Sequence, residues 1–287
     1  MPDPRRAPQL KGLDLKMILG IDVGGSTTKI VGLMPSGECI GMMQVEASDQ
    51  LTSAYGAFGK FTAEYNLPIG DITKIAVTGV GSSYLESGMY NIPTKRVDEF
   101  KAIGLGGLNL AKLSSAVIVS VGTGTALVKA ANGQITHIGG SGVGGGTLIN
   151  LAERFAGAHS FPSITNLASS GNLNAVDLKL KDISKETIGN LPPGTTVSNF
   201  GNIQDTATSS DIVLGLINMI FESVGMMAVF ATLNDMVKDI VLIGSLSVID
   251  QASSVFGALA KLHTNNRFHI PKDAIFATAV GAALAEM

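Results

Sequence analysis

The feature that most constrains the fold is the stretch 17–33, MILGIDVGGSTTKIVGL, where two apolar runs flank a turn of two glycines and three hydroxyl residues. Residues 17–23 are apolar apart from Asp22, and residues 29–33 resume a β-branched pattern. The spacing therefore predicts a hairpin with Asp22 at its mouth. Gly24 and Gly25 let backbone N–H groups approach an anion closely, Ser26, Thr27 and Thr28 bring hydroxyls, and Lys29 brings charge. A carboxylate among phosphate donors points to magnesium at Asp22. The plainer alternative is a tight turn opened by an acid. The loop lacks the Gly-Lys-Ser/Thr ending of the common phosphate loop, and a strand rather than a helix follows its glycines.

The same design returns about 100 residues later. An apolar run at 116–121 leads into Gly122-Thr123-Gly124-Thr125, and a strand pattern resumes over 126–130. This predicts two related α/β domains, 17–115 and 116–287. Between the two turns come a strand at 39–45, a helix over 51–65, a strand at 72–78 ending in Gly79-Val80-Gly81-Ser82-Ser83, and a helix over 97–113. Asp98 and Glu99 open that last helix. Beyond the second turn, Asn132-Gly133 makes a hairpin, His137 ends the returning strand, and the glycine-dense loop 139–146 feeds a helix over 147–158. Residues 163–198 read as short helices and loops. A long apolar helix over 210–233 carries Met219, Met226 and Met227, and is followed by a strand at 240–243, a helix over 251–262 and a final helix from 278.

With 45% apolar and 15% charged residues in 287, the chain is compact and globular. A net charge of −3 gives no basic footprint for nucleic acid. No run reaches the roughly 18 uncharged apolar residues that a membrane helix needs. Cys39 stands alone, so the chain has no internal disulfide and no four-cysteine metal site, which fits a reducing cytoplasm. Residues 1–16 hold three prolines and two arginines without an apolar core, and read as an appended leader rather than a secretory signal. The apolar helix over 210–233 is greasier than a surface helix should be and predicts core packing or a homodimer interface.

Strand, glycine turn and strand in this order resemble the first phosphate loop of the acetate and sugar kinase, heat-shock chaperone and actin superfamily. Further stretches narrow the resemblance to the type II pantothenate kinases. They are GIDVGGS at 20–26, VDEF at 97–100, VGTGT at 121–125 with GGSGVGGGT at 139–147, and SNFGN at 198–202. The resemblance implies two ribonuclease-H-like (actin-like ATPase) domains, each a mixed sheet flanked by helices, with ATP and magnesium in the cleft between them. It assigns the nucleotide to Asp22, Gly24, Gly25, Ser26, Thr27, Lys29, Thr123, Gly144, Gly145, Gly146, Thr147, Phe161 and Ser245. It assigns the acceptor, pantothenate, to Thr125, His137 and Val197. Glu99 is the expected catalytic base, because phosphoryl transfer to an alcohol needs a carboxylate within reach of the attacking hydroxyl. An acid there also suits a helix N-terminus, and Asp98 is the alternative. His137 stands where the family usually has an arginine. Competing readings are a kinase of a sugar or another hydroxy acid, a nucleotide-driven switch, and a dehydratase-activating ATPase, the last disfavoured by the single cysteine.

Overall fold

The computed structural model describes residues 16–46, 49–85, 88–186 and 188–287; apart from Lys16, the leader expected at 1–16 lies outside them. The first sheet is built from β1 (Met17–Val23), β2 (Thr27–Leu33) and β3 (Cys39–Glu46). Helix α1 (Gln50–Glu64) then leads to β4 (Ile72–Thr78) and β5 (Thr94–Arg96). Its order is β3-β2-β1-β4-β5, with β1, β2 and β3 antiparallel and β1, β4 and β5 parallel. Helix α2 (Glu99–Ala111) follows. The second sheet opens with β6 (Ala116–Val121), β7 (Thr125–Ala131) and β8 (Gln134–Ser141). The chain then runs through α3 (Gly145–Ala156), α4 (Phe161–Ala168), the small ladder of β9 (Leu178–Lys179) and β10 (Thr196–Ser198) enclosing α5 (Leu180–Ile183), and α6 (Ser209–Thr232). It closes with β11 (Asp239–Ile243), α7 (Asp250–Leu262), β12 (Arg267–His269) and α8 (Ala277–Leu284).

The second sheet, β8-β7-β6-β11-β12, repeats the strand order and directions of the first. The repeat extends to the strand ends. Gly79 after β4 and Gly244 after β11 both take positive φ, 86° and 95°, where a side chain would be strained. A Cβ on Gly79 would lie 2.7 Å from the Val23 carbonyl, and one on Gly244 would lie 2.6 Å from that of Val121. Each glycine thus lets the chain turn across the end of its own central strand into a 3₁₀ turn, Val80–Leu85 or Ser245–Val248.

Two helices tie the sheets together by crossing over. α2, which precedes the boundary expected at residue 115, packs on β6, β7, β8 and β11, while α8 packs on β1, β2 and β4 of the first sheet. The two helices meet backbone to backbone. A Cβ on Gly106 would sit 1.7 Å from Ala277 O, one on Gly281 1.8 Å from Ala102 O, and one on Gly20 of β1 2.0 Å from Ala279 O. Glycine inside a helix costs about 1 kcal/mol relative to alanine, so its presence here is offset by an approach that no other residue permits.

α6 is long and apolar enough to cross a membrane by length and composition, yet 61% of its most apolar window is buried inside the protein. It packs on α3, α4, α7 and β6, and Met219, Met226 and Met227 lie half-buried against that core. Three local expectations change. His137 lies inside β8, which continues through Gly139 and Gly140 to Ser141, because Gly140 can lie where a Cβ would come 2.6 Å from Thr125 O. α3 begins at Gly145, two residues before Thr147. The short strands β5, β9, β10 and β12 carried no readable alternation because each has only two or three residues.

Residues 172–182 and 196–204 are fastened to α6 through two buried carboxylates, Asp177 of the segment itself and Asp211 of α6, which accepts from Asn172 N at 2.7 Å. Asp177, fully shielded from solvent, accepts from Phe200 N at 3.0 Å, Lys179 Nζ at 3.2 Å, Thr196 Oγ1 at 3.2 Å and Asn218 Nδ2 at 3.0 Å. Asn199 Nδ2 donates to Glu222 Oε2 at 2.9 Å, and Asn202 N to Val176 O at 3.1 Å.

The helix crossing generates a paired test. Gly106→Ala should destabilise the protein by about 1–3 kcal/mol in urea unfolding, as overpacking against backbone does. Gly257→Ala, on an open face of α7, should instead stabilise it by about 0.5–1 kcal/mol.

Candidate active site

A cleft of ≈ 810 Å³ lies between the two sheets. From the first sheet come the β1–β2 turn, Gln44 and Glu46 of β3, and Gly79 with Val80. From the second come the β6–β7 turn, the start of α3, Phe161 and the turn after β11. Glu99 and Ile103 of α2 and Thr278 of α8 complete the wall. The first turn is closed by Gly24 N donating to Thr27 O at 3.1 Å, and strand pairing sets Asp22 opposite Lys29. The two turns face each other, since a Cβ on Gly25 would lie 3.8 Å from Thr123 Oγ1.

Of the residues expected at the nucleotide, Asp22, Gly24, Gly25, Ser26, Thr27, Lys29, Thr123, Gly145, Gly146, Phe161 and Ser245 line this cleft. Gly144 and Thr147 stand just behind. Thr147 Oγ1 donates to Gly142 O at 3.1 Å and accepts from Gly144 N at 3.3 Å, closing the turn into α3. The glycines at this turn serve a close contact between two loops. Gly145 N donates to Gly122 O at 2.8 Å and Gly146 N to Thr123 O at 2.9 Å, while a Cβ on Gly144 would fall 2.8 Å from Gly124 backbone. Those two amides are therefore committed to the protein, and the α3 turn braces the second phosphate-sized turn.

Of the residues expected at the acceptor, Thr125 lines the cleft, with its hydroxyl donating to Val143 O at 2.8 Å. His137 and Val197 are not in the cleft wall. His137 is exposed on β8, stacked on Phe100 at 4.0 Å between ring centroids, and Val197 on β10 is 49% exposed. Sequence reasoning did not single out Gln44, Glu46 or Thr278. Gln44 and Glu46 follow from register, since β3 sets them opposite Lys29 and Thr27, but a short strand after a hairpin offers no such cue by itself.

The electrostatics separate the two acids that begin α2. Asp98 caps the helix, its Oδ1 accepting from Lys101 N at 2.9 Å, which leaves Glu99 at N1 turned to the cleft. The surrounding walls push the Glu99 carboxyl above its ordinary range, helped by the negative charges of Asp22 and then Asp98. Burial raises Asp22 as well, opposed by Lys29, whose Nζ is 3.9 Å away and also donates to Thr27 Oγ1 at 2.9 Å. Among the described residues no group of three His, Cys, Asp or Glu could cage a metal. A buried carboxylate beside phosphate-sized turns does fit magnesium, which is commonly held by one or two carboxylates together with substrate phosphates. Thr78 adds to that fit. It is paired with Asp22 across β1 and β4, and its Oγ1 is buried with no partner.

Two mixed sheets of identical topology around this cleft define the actin-like ATPase fold. The activator of 2-hydroxyisocaproyl-CoA dehydratase from Clostridium difficile, solved with bound ADPNP, superposes with a TM-score of 0.66 at 16% identity, covering 94% of this chain and 93% of that one. A ROK family glucokinase from Streptomyces griseus, in complex with glucose and AMPPNP, gives a TM-score of 0.59 at 11% identity over 94% and 98%. The model of the family described as Fumble matches residues 108–263, more than half of the sequence, and the chain belongs to that family of type II pantothenate kinases. The type II pantothenate kinase of Staphylococcus aureus is 28% identical over 80% of this chain and 84% of its own length, and that of Staphylococcus haemolyticus is 26% identical over 80% and 85%.

The raised Glu99 carboxyl has a thermodynamic consequence. A carboxyl whose folded pKa is raised destabilises the fold at every pH above that value, and the penalty disappears once pH falls below the unfolded value, ordinarily 4.5. Glu99→Gln should therefore raise the melting temperature at pH 8, and the gain should vanish below about pH 4.5.

Proposed function

We propose that the protein is an ATP- and magnesium-dependent kinase that phosphorylates the primary hydroxyl of pantothenate, the opening step of coenzyme A synthesis. The observation that carries this is Glu99. A carboxylate with its pKa raised is set by a capped helix N-terminus into a cleft walled by two glycine and hydroxyl turns. The family membership and the relatives' names supply the acceptor. In this reading the turns of 24–27 and 122–125 grip the triphosphate from opposite sides, and Lys29 offsets its charge. Asp22 holds magnesium, which when bound neutralises charge on the phosphates. Glu99 takes the proton of the acceptor hydroxyl, for which the raised pKa is suited, since a base works best when its pKa lies near the operating pH.

The charge of the cleft favours a second reading for the acceptor alone. Among the described residues, Lys29 is the one lysine or arginine in the wall, against Asp22, Glu46 and Glu99. Its ammonium already faces Asp22, and His137, in the place of the family's arginine, lies on exposed β8. A carboxylate-bearing acceptor thus lacks an evident cation, and a neutral polyol is the competitor. The dehydratase-activator reading finds little support, because Cys39 is the single cysteine of the sequence. Against a nucleotide-driven switch, the proposal requires that ATP turnover depend on the acceptor.

An acceptor screen with purified protein, ATP and magnesium should show ADP release that depends on pantothenate and exceeds that with pantetheine or common sugars. Turnover led by a neutral sugar would select the second reading, and equal hydrolysis without any acceptor would select a switch.

With the preferred acceptor in hand, Glu99→Gln should cut turnover by about 100-fold or more and leave nucleotide binding near normal, as loss of a general base does. Asp22→Asn should weaken magnesium–ATP use more than Lys29→Ala. Near-normal turnover in the Glu99 variant would move the base elsewhere.

A further inference from the structure

Among the described residues, two buried side-chain polar atoms have no hydrogen-bond partner, Thr78 Oγ1 and Gln251 Oε1. Thr78 is wholly shielded from solvent, and an unsatisfied buried hydroxyl costs stability rather than adding to it. Its position is informative. In the parallel register of β1 and β4, Gly20 lies beside Ala76 and Asp22 beside Thr78. Ile75 and Val77 turn to the core under α1, whereas Ala76 packs with Ala102 of α2 and Ala282 of α8. By the two-residue alternation of a strand, Thr78 leaves the sheet on the Ala76 side, and Asp22 leaves it on the Gly20 side, which is the same face. The Thr78 side chain therefore shares the sheet face of the Asp22 carboxylate, behind the cleft wall that Asp22 and Gly79 form, with no hydrogen bond between the two. Gly79 holds that end of β4 close, since a Cβ there would lie 2.6 Å from Asp22 Oδ1.

We propose that Thr78 is a positioning residue of the magnesium–nucleotide site, donating its hydroxyl hydrogen to the Asp22 carboxylate when the cation enters. This rests on the kinase reading above. Lys29 approaches Asp22 Oδ2 from β2, on one side of β1, and Thr78 approaches from β4, on the other. With the cation bound, a hydroxyl donor from β4 would act with the ammonium charge on the β2 side to restrict how the carboxylate turns toward the metal. Outer-shell donors of this kind orient metal-ligating carboxylates in many sites. The orphaned hydroxyl also explains why a buried threonine stands where a valine would pack as well without the unsatisfied group.

The test compares Thr78→Val, which removes the hydroxyl at nearly constant shape, with Thr78→Ser, which keeps it. Binding of a non-hydrolysable ATP analogue is titrated by calorimetry with and without magnesium, with no acceptor present. Thr78→Val should lose at least about 10-fold of the affinity gained on adding magnesium while metal-free binding stays within about twofold, and Thr78→Ser should restore most of the gain. The melting temperature of metal-free Thr78→Val should equal or exceed that of the parent. Should the valine variant not fold, Thr78→Ala against Thr78→Ser gives the same comparison. An undiminished magnesium gain in the valine variant would overturn the proposal, as would equal losses with and without metal, or a serine variant as impaired as valine. If the parent protein itself gains nothing from magnesium, the kinase reading fails and this inference with it.

Discussion

The structure depends on a contact that side chains would forbid. Gly106 of α2 and Gly281 of α8 let two helix backbones touch, and Gly20 lets α8 lie directly on β1. Each helix is rooted on the sheet of the other half of the sequence, so the crossing ties two otherwise separate sheets into one body. It also sets which acids face the cleft. Glu99 begins the helix that belongs to the second sheet by packing, yet its carboxyl is close enough to Asp22 of the first sheet for their charges to act on each other. The cleft takes its acids from both halves because these helices cross.

The duplicated sheets give that cleft two similar turns with different support. The turn at 24–27 is a hairpin braced by a lysine and carboxylate pair, whereas the turn at 122–125 is braced by the amides of Gly145 and Gly146. One side carries net ionic character and the other is plain backbone. Such an arrangement suits a polyanion with a cation on one flank, because charge is concentrated where the metal would sit and absent where the opposite flank only needs donors.

Much of this is legible in the amino-acid sequence alone. The stretch 17–33 announces its hairpin because alternation, glycines and a lone acid agree, and 116–130 repeats it. What stayed hidden has physical causes. The exchange of α2 and α8 between sheets leaves no local signature, since glycine in a helix looks like weak propensity until the opposing backbone is seen. Gln44 and Glu46 reach the cleft through strand register. The glycines of 144–146 point to a close backbone approach, and Gly145 and Gly146 line the cleft, but that their amides also bond the neighbouring loop needs the partner loop in view. The sequence prefers Glu99 to Asp98 only through the family resemblance, and the physical distinction between them is the capping bond that Asp98 makes.

The SNFGN stretch at 198–202 is among the more distinctive parts of the sequence, and in the structure it is a fastening. Phe200 N closes on Asp177, Asn199 on Glu222 and Asn202 on Val176, so the excursion between α4 and α6 gathers around its own Asp177 and is tied to α6 through Asn218 and Glu222. Residues 184–186 and 188–195 lie outside that node, between α5 and β10. Because loop closure entropy grows slowly with length, this is where the chain can gain or lose residues without disturbing either sheet or the cleft. The motif thus separates a part of the polypeptide whose length is set by packing on α6 from a part held by few such ties, an insertion point for tags or new modules.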